Sequence, residues 1–227
     1  MCLKRARYLS CFILVLLALS FSGCSTASVG TPSGFLNDYA ALQDGTYFKQ
    51  QYVPKGASFV GYKSIKVAPV NLSHLDNQSS CDTGELEDLA RQFREDTEAQ
   101  LKKSGFTVSS DPSGHTLVIS LALTDIETPD RLFNVGMTAA SVVSPIPLPF
   151  DKNGQTAIEG KITDGTTGHL MMEFAEVRSG AGDKRSLKTM TVGKYQKFTN
   201  TQAVFAGWAQ TITKMLQTMT STTAQKA

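Results

Sequence analysis

Cysteine, histidine and tryptophan are scarce in this chain, and long apolar runs are missing. Its 227 residues include four cysteines, three histidines and one tryptophan. His74, His115 and His169 stand far apart, and none opens a zinc-ligand spacing. No Gly-x-Ser-x-Gly elbow, no His-Glu-x-x-His helix and no Gly-Lys-Ser/Thr phosphate loop occurs. These absences argue against the common hydrolases, metalloproteases and nucleotide enzymes, and no cofactor is expected. A membrane-crossing helix needs about 20 apolar residues, and no run here is that long. Excess charge of one sign is lacking too, with 22 Lys+Arg against 20 Asp+Glu. Nucleic acid binding calls for clustered Lys/Arg, so no nucleic acid partner is expected.

What is present begins at the amino terminus. Lys4, Arg5 and Arg7 precede an apolar segment from Leu9 to Leu19, which ends in the small-residue exit Ser22-Gly23 before Cys24. A basic start, a short apolar run and such an exit mark an export signal. Phe21-Ser22-Gly23-Cys24 resembles the bacterial lipobox, in which the chain is cut before the cysteine and diacylglycerol is attached to its thiol. The alternative is an ordinary secretory signal with a chance cysteine. Residues 1–23 then form the signal and 24–34 a lipidated tether, small, polar and uncharged, as flexible linkers are. Several acyl chains on Cys24 would hold firmly, where a single chain binds marginally. Ser25, in place of Asp, implies by analogy with lipoprotein sorting a location on the periplasmic face of the outer membrane.

Removing the signal takes away Lys4, Arg5 and Arg7 and no acidic residue, so Lys+Arg falls from 22 to 19 against 20 Asp+Glu and the formal charge from +2 to −1. Cys2 and Cys11 leave with the signal. Cys81 is then the one thiol besides Cys24, and it can be free, buried or paired between chains.

Beyond the tether, the pattern is that of one α+β domain over residues 35–219, followed by a polar tail at 220–227. Gly34-Phe35-Leu36-Asn37-Asp38-Tyr39 opens an aromatic first segment packed across the domain. Tyr62 to Val70 alternates apolar and polar and reads as a strand ended by Pro69. Asp82, with Glu85 three residues on, predicts a helix cap. Leu86, Leu89, Ala90, Phe93, Thr97 and Leu101 then fall on one helical stripe, and Gly105 closes the helix. The opposite charged face predicts solvent exposure with pairs such as Arg91–Glu95. Phe106–Val108 is a short strand and Thr116–Ile126 a central, mostly buried one. Gln155–Thr163 and His169–Val177 make a hairpin about the Asp164–Gly168 turn. Val204, Trp208, Ile212 and Leu216 recur every fourth residue on a core-facing helix running from about Asn200 to Met219. The expected architecture is a mainly antiparallel β-sheet with two long α-helices packed on one face. Carboxylate pairs such as Asp125/Glu127 and Glu85/Glu87 read as solvent-facing.

Residues 131–150 are apolar, carry three prolines, and hold no charge between Arg131 and Asp151. They admit two readings. One is a packed covering segment. The other is an exposed loop in which Leu132, Phe133, Val135, Ile146, Leu148 and Phe150 form a partner surface.

The motif Gly34–Tyr39 after a lipobox, then Tyr62–Val70, Leu121–Asp125, Asp164–Gly168, Gly180-Ala181-Gly182 and the helix around Trp208-Ala209 together resemble the bacterial lipoproteins carrying the domain of unknown function 3313. The resemblance spans roughly Gly34 to Leu216. It implies an exported, membrane-anchored protein and brings no catalytic residues. The element order also resembles the small domain of the TolB amino-terminal type, a likeness of fold alone. The expected function is a non-enzymatic envelope lipoprotein, attached to the membrane through Cys24, that binds a protein or cell-wall partner. An envelope enzyme with dispersed catalytic residues and a structural subunit of an envelope assembly are the alternatives.

Overall fold

The structure, a computed structural model, describes residues 32–75, 82–112, 114–126, 155–179 and 199–221. Its strands are β1 (Gln43–Asp44), β2 (Gln50–Tyr52), β3 (Ser64–Val67), β4 (Thr107–Val108), β5 (Thr116–Ile126), β6 (Gln155–Asp164) and β7 (Leu170–Ser179). Its helices are α1 (Thr83–Lys103) and α2 (Thr199–Thr220), with a 3-10 turn at Tyr39–Ala41.

The strands form one sheet in the order β1-β2-β7-β6-β5-β3-β4. β5, β6 and β7 pair antiparallel, Ile119 facing Ile162 and Ile162 facing Met172. β3, however, pairs parallel with both β4 and β5. The sheet is therefore mixed, which corrects the expected mainly antiparallel arrangement. The physical reason is the crossover: α1 carries the chain back along the sheet, so the strand after it enters in the same direction as β3. Local hairpin signals are visible in sequence, whereas a pairing across fifty residues leaves no short-range mark.

Both predicted helices form. Asp82 caps α1, its carboxylate accepting from the Glu85 amide at 3.1 Å. The buried residues of α1 are Leu86, Leu89, Ala90, Phe93, Thr97 and Leu101, the whole of the predicted stripe. Gly105 ends the helix at φ +90°, a conformation costly to any residue with a Cβ. On the outer face Arg91 reaches Glu95 at 3.4 Å and Asp88 at 2.7 Å. Pairs this exposed add little to stability.

Alternation divides the sheet into two faces. Leu117, Ile119, Leu121, Leu123, Ile158, Ile162, Met172 and Phe174 share the front face and one core with the buried stripes of both helices. Phe93, Phe205 and Trp208 cluster in that core, and Trp208 is fully buried as its spacing predicts. Its indole Nε1 donates to Glu176 at 3.2 Å, tying α2 to β7.

Gly160 occupies the middle of this front face. Phe174, its cross-strand neighbour, lays its ring over Gly160 and stacks on Phe48 with centroids 3.8 Å apart. A Cβ at residue 160 would collide with the Phe174 ring. We therefore expect Gly160→Ala to destabilise the domain by about 1–3 kcal/mol, the usual cost of overpacking, read as a lower urea midpoint with an unchanged slope.

Candidate functional site

Cys24 and the six apolar residues Leu132, Phe133, Val135, Ile146, Leu148 and Phe150 lie outside the described residues, as do Cys81 and Glu127. Within them, the most distinctive constellation sits on the back face of the sheet, away from the helices. Alternation places Glu159 on β6 and Glu173 on β7 there, among Ala157 and Ala175. Both carboxylates are buried, at 3% and 0% exposure. A buried carboxylate is tolerated only where donors meet it.

Those donors come from a strap formed by residues 33–42, which begins in the tether-like composition and runs through the aromatic first segment. Glu159 Oε2 accepts from the Ser33 hydroxyl at 2.6 Å and the Tyr39 phenol at 2.7 Å. Glu173 Oε1 accepts from the Asn37 amide at 2.6 Å. The Tyr39 oxygen in turn accepts from the amides of Gly34 at 2.9 Å and Leu36 at 3.2 Å, so one phenol organises the bend. Asp38 caps the 3-10 turn, its carboxylate taking the amides of Ala40 and Ala41. Leu36 and Leu42 pack on Ala175 beneath the strap, with Phe35, Tyr39 and Tyr52 at the margin. Lys161 lies 4.5 Å from the Phe35 ring centroid. His74 completes the fastening: its Nδ1 sits 2.9 Å from the Ser33 carbonyl and its ring meets Phe35 edge-on.

Phe35 and Tyr39 thus pack across the domain, as the sequence suggested, and His74 is no free surface histidine. Glu159 and Glu173 were not singled out by sequence reasoning. Their strands alternate with the core-facing residues, which reads as solvent exposure. The signal available was Ala157 and Ala175 on that same supposed outer face: apolar neighbours that a solvated face has little use for.

A second polar pair stands at the end of the sheet. The Tyr62 phenol donates to Asp164 Oδ2 at 2.6 Å beside an open groove of about 590 Å³, which Lys55, Thr167, His169 and Met171 also line. Asp164 Oδ1 is occupied by the amides of Thr166 and Thr167 and by the Thr167 hydroxyl, so this carboxylate holds the hairpin turn. Those donors, Tyr62 foremost, lower the Asp164 pKa from 3.8 to about 2. Burial and the adjoining carboxylate push Tyr62 from 10.0 up to about 12. His115 stacks edge-on against Tyr62, so the fold brings two of the scattered histidines to one end of the sheet. Among the described residues no group of three His, Cys, Asp or Glu could hold a metal ion, and no helix is long and apolar enough to cross a membrane.

Two outcomes follow from these geometries. Glu159→Ala leaves the Ser33 and Tyr39 donors without their acceptor, which costs about 1–3 kcal/mol. Amide exchange should accelerate over Ser33–Ala41 while the β5–β6 ladder keeps its protection; a strap as protected as before would refute the anchoring role. Asp164, depressed in the folded state, contributes stability that is present above its unfolded value of 3.8 and lost as pH falls toward about 2. Tyr62, raised in the folded state, contributes stability that is present below 10.0 and lost as pH rises toward about 12. Urea midpoints across pH should show both losses, and Tyr62→Phe should flatten the alkaline one.

A model of the family described as "Protein of unknown function (DUF3313)" matches residues 31–212. No curated protein matches the chain. Among solved structures, a PelC dodecamer subunit from Paraburkholderia phytofirmans is 11% identical, with 74% of this chain and 94% of that one covered at a TM-score of 0.39. A minor lipoprotein from Acinetobacter baumannii is 13% identical, with 69% and 92% covered at a TM-score of 0.31. A DUF4136 family protein from Bacteroides thetaiotaomicron is 11% identical, with 73% and 95% covered at a TM-score of 0.35. With identities and TM-scores this low, function is argued from this chain's own residues.

Proposed function

We propose a role for this chain from one premise: it belongs to the DUF3313 family of unknown function. In this reading it is a non-enzymatic accessory module of the bacterial cell envelope. Cys24 carries the lipid, and Ser25 directs the protein to the periplasmic face of the outer membrane. The domain beyond the tether binds a protein or cell-wall component, with Leu132, Phe133, Val135, Ile146, Leu148 and Phe150 as the partner surface. The fold at the level of a small domain on a TolB-like plan is part of the same proposal.

The observation that carries this reading is the strap. The chain meets the domain at Ser33, nine residues after Cys24, and there it is fastened to a buried carboxylate rather than left to fray. Such fastening suits a chain end that must transmit an anchor's hold to a folded body, since free termini are ordinarily poorly ordered. The groove beside Tyr62 and Asp164 offers less to an enzyme reading, because the carboxylate in it is spent on the hairpin turn.

Membrane fractionation tests the anchor. Cys24→Ala should move the protein from the membrane pellet to the supernatant with its thermal midpoint unchanged, because the residue lies before the folded region. A variant that still sediments with membranes would overturn the lipid reading. Crosslinking in intact cells from the 132–150 segment should recover a partner; recovery of self-contacts alone would count against the accessory role.

A further inference from the structure

The strap fixes where the chain leaves the domain. Ser33 is held through its hydroxyl to Glu159 and through its carbonyl to His74, so the exit at Pro32 is on the back face of the sheet. Glu159 belongs to β6, the fourth strand of seven, so this exit lies over the middle of the sheet. Eight residue steps separate Pro32 from Cys24. At no more than about 3.6 Å per step, they reach about 29 Å fully stretched. Rounding either edge crosses three strand spacings, about 14 Å. Passing the sheet and the helix layer adds on the order of 20 Å, since layers pack about 10 Å apart and a helix is about 10 Å across. The sum exceeds the reach, and the helix face cannot turn to the surface that holds the anchor.

The surface around the exit has a chemistry of its own. Register places Lys66 beside Val118, Val118 beside Thr163, and Ser120 beside Lys161, all on the back face and all half-exposed. Among the described residues, the carboxylates of that face are Glu159 and Glu173, buried and occupied by the strap, and the half-exposed Asp125 opposite Ala157, five positions along β5 from Ser120, while Asp38 is turned to the 3-10 cap. Lys66 and Lys161 add two ammonium groups on long apolar stems, Lys161 lying over the Phe35 ring and donating to Asn37 Oδ1 at 3.5 Å. Lysine stems of this kind lie along an apolar surface while their heads reach phosphate.

We propose that the back face of the sheet, centred on Phe35, Lys66 and Lys161, is the surface this domain turns to the bilayer, with lipid headgroup phosphates as its ligands. The proposal rests on the reading of Cys24 as the lipid-bearing residue. Its occupant is the leaflet that holds the anchor, selected by the short reach from Pro32 and by the half-exposed Lys66 and Lys161 on the same face.

The test uses the full lipidated protein on vesicles of phosphatidylethanolamine and phosphatidylglycerol, treated with a membrane-impermeant acetylating ester and read lysine by lysine by mass spectrometry. Acetylation of Lys66 and Lys161 should be several-fold slower on vesicles than after the vesicles are dissolved in detergent. Lys102 and Lys103 at the end of α1, and Lys214 on α2, should react equally in both. Protein that floats with the vesicles but shows no such contrast, or slows at Lys102, Lys103 and Lys214 instead, overturns the orientation alone. Protein that does not float overturns the Cys24 reading, and the orientation with it. A floating Glu159→Gln/Glu173→Gln variant, its strap loosened, should lose most of the contrast; full retention would overturn the strap's part in setting it.

Discussion

A carboxylate buried on a sheet face has no solvent to meet it, and this constraint shapes the rest of the domain. The front face of β5, β6 and β7 is apolar and takes the two helices. The back face carries Glu159 and Glu173, buried carboxylates that need donors. The chain supplies them from its first folded residues, 33–42, which contribute backbone amides, a serine hydroxyl and a tyrosine phenol. Charge-assisted bonds of this kind are the stronger ones, and their loss in a buried place is correspondingly expensive. The strap is thereby bound to one place on one face.

Everything proposed about function depends on that attachment. An anchor at the proposed Cys24 would hold the domain through the strap, which is fastened at Ser33. If the first folded element had been a frayed coil, the domain would have no preferred face toward the membrane. In the proposed reading, a central exit and a short tether restrict it to one. The helix layer would then be left for other contacts.

Much of the fold was legible because its signals are local. The stripe from Leu86 to Leu101 sits at helical spacing, and the structure buries all of it. Asp164–Gly168 turns the hairpin between β6 and β7, and Trp208 anchors α2 as its i, i+4 neighbours indicate. The two-residue β1 and the three-residue β2 are too short to show alternation, whereas β4 lies within the short strand expected at Phe106–Val108. The parallel pairing of β3 with β5 depends on a crossover rather than on a turn, and so escaped notice. Glu159 and Glu173 looked solvent-facing because period-two alternation distinguishes two faces without saying what lies over the second.

By itself, the sequence determined the two amphipathic helices, the hairpin and the α+β class, since each is written in neighbouring residues whose spacing matches a fixed backbone period. Tertiary structure alone decided the mixed sheet, the burial of two carboxylates and the face on which the chain enters. Those depend on which distant segments meet, and a carboxylate's need for donors becomes visible only once the surface that covers it is in place.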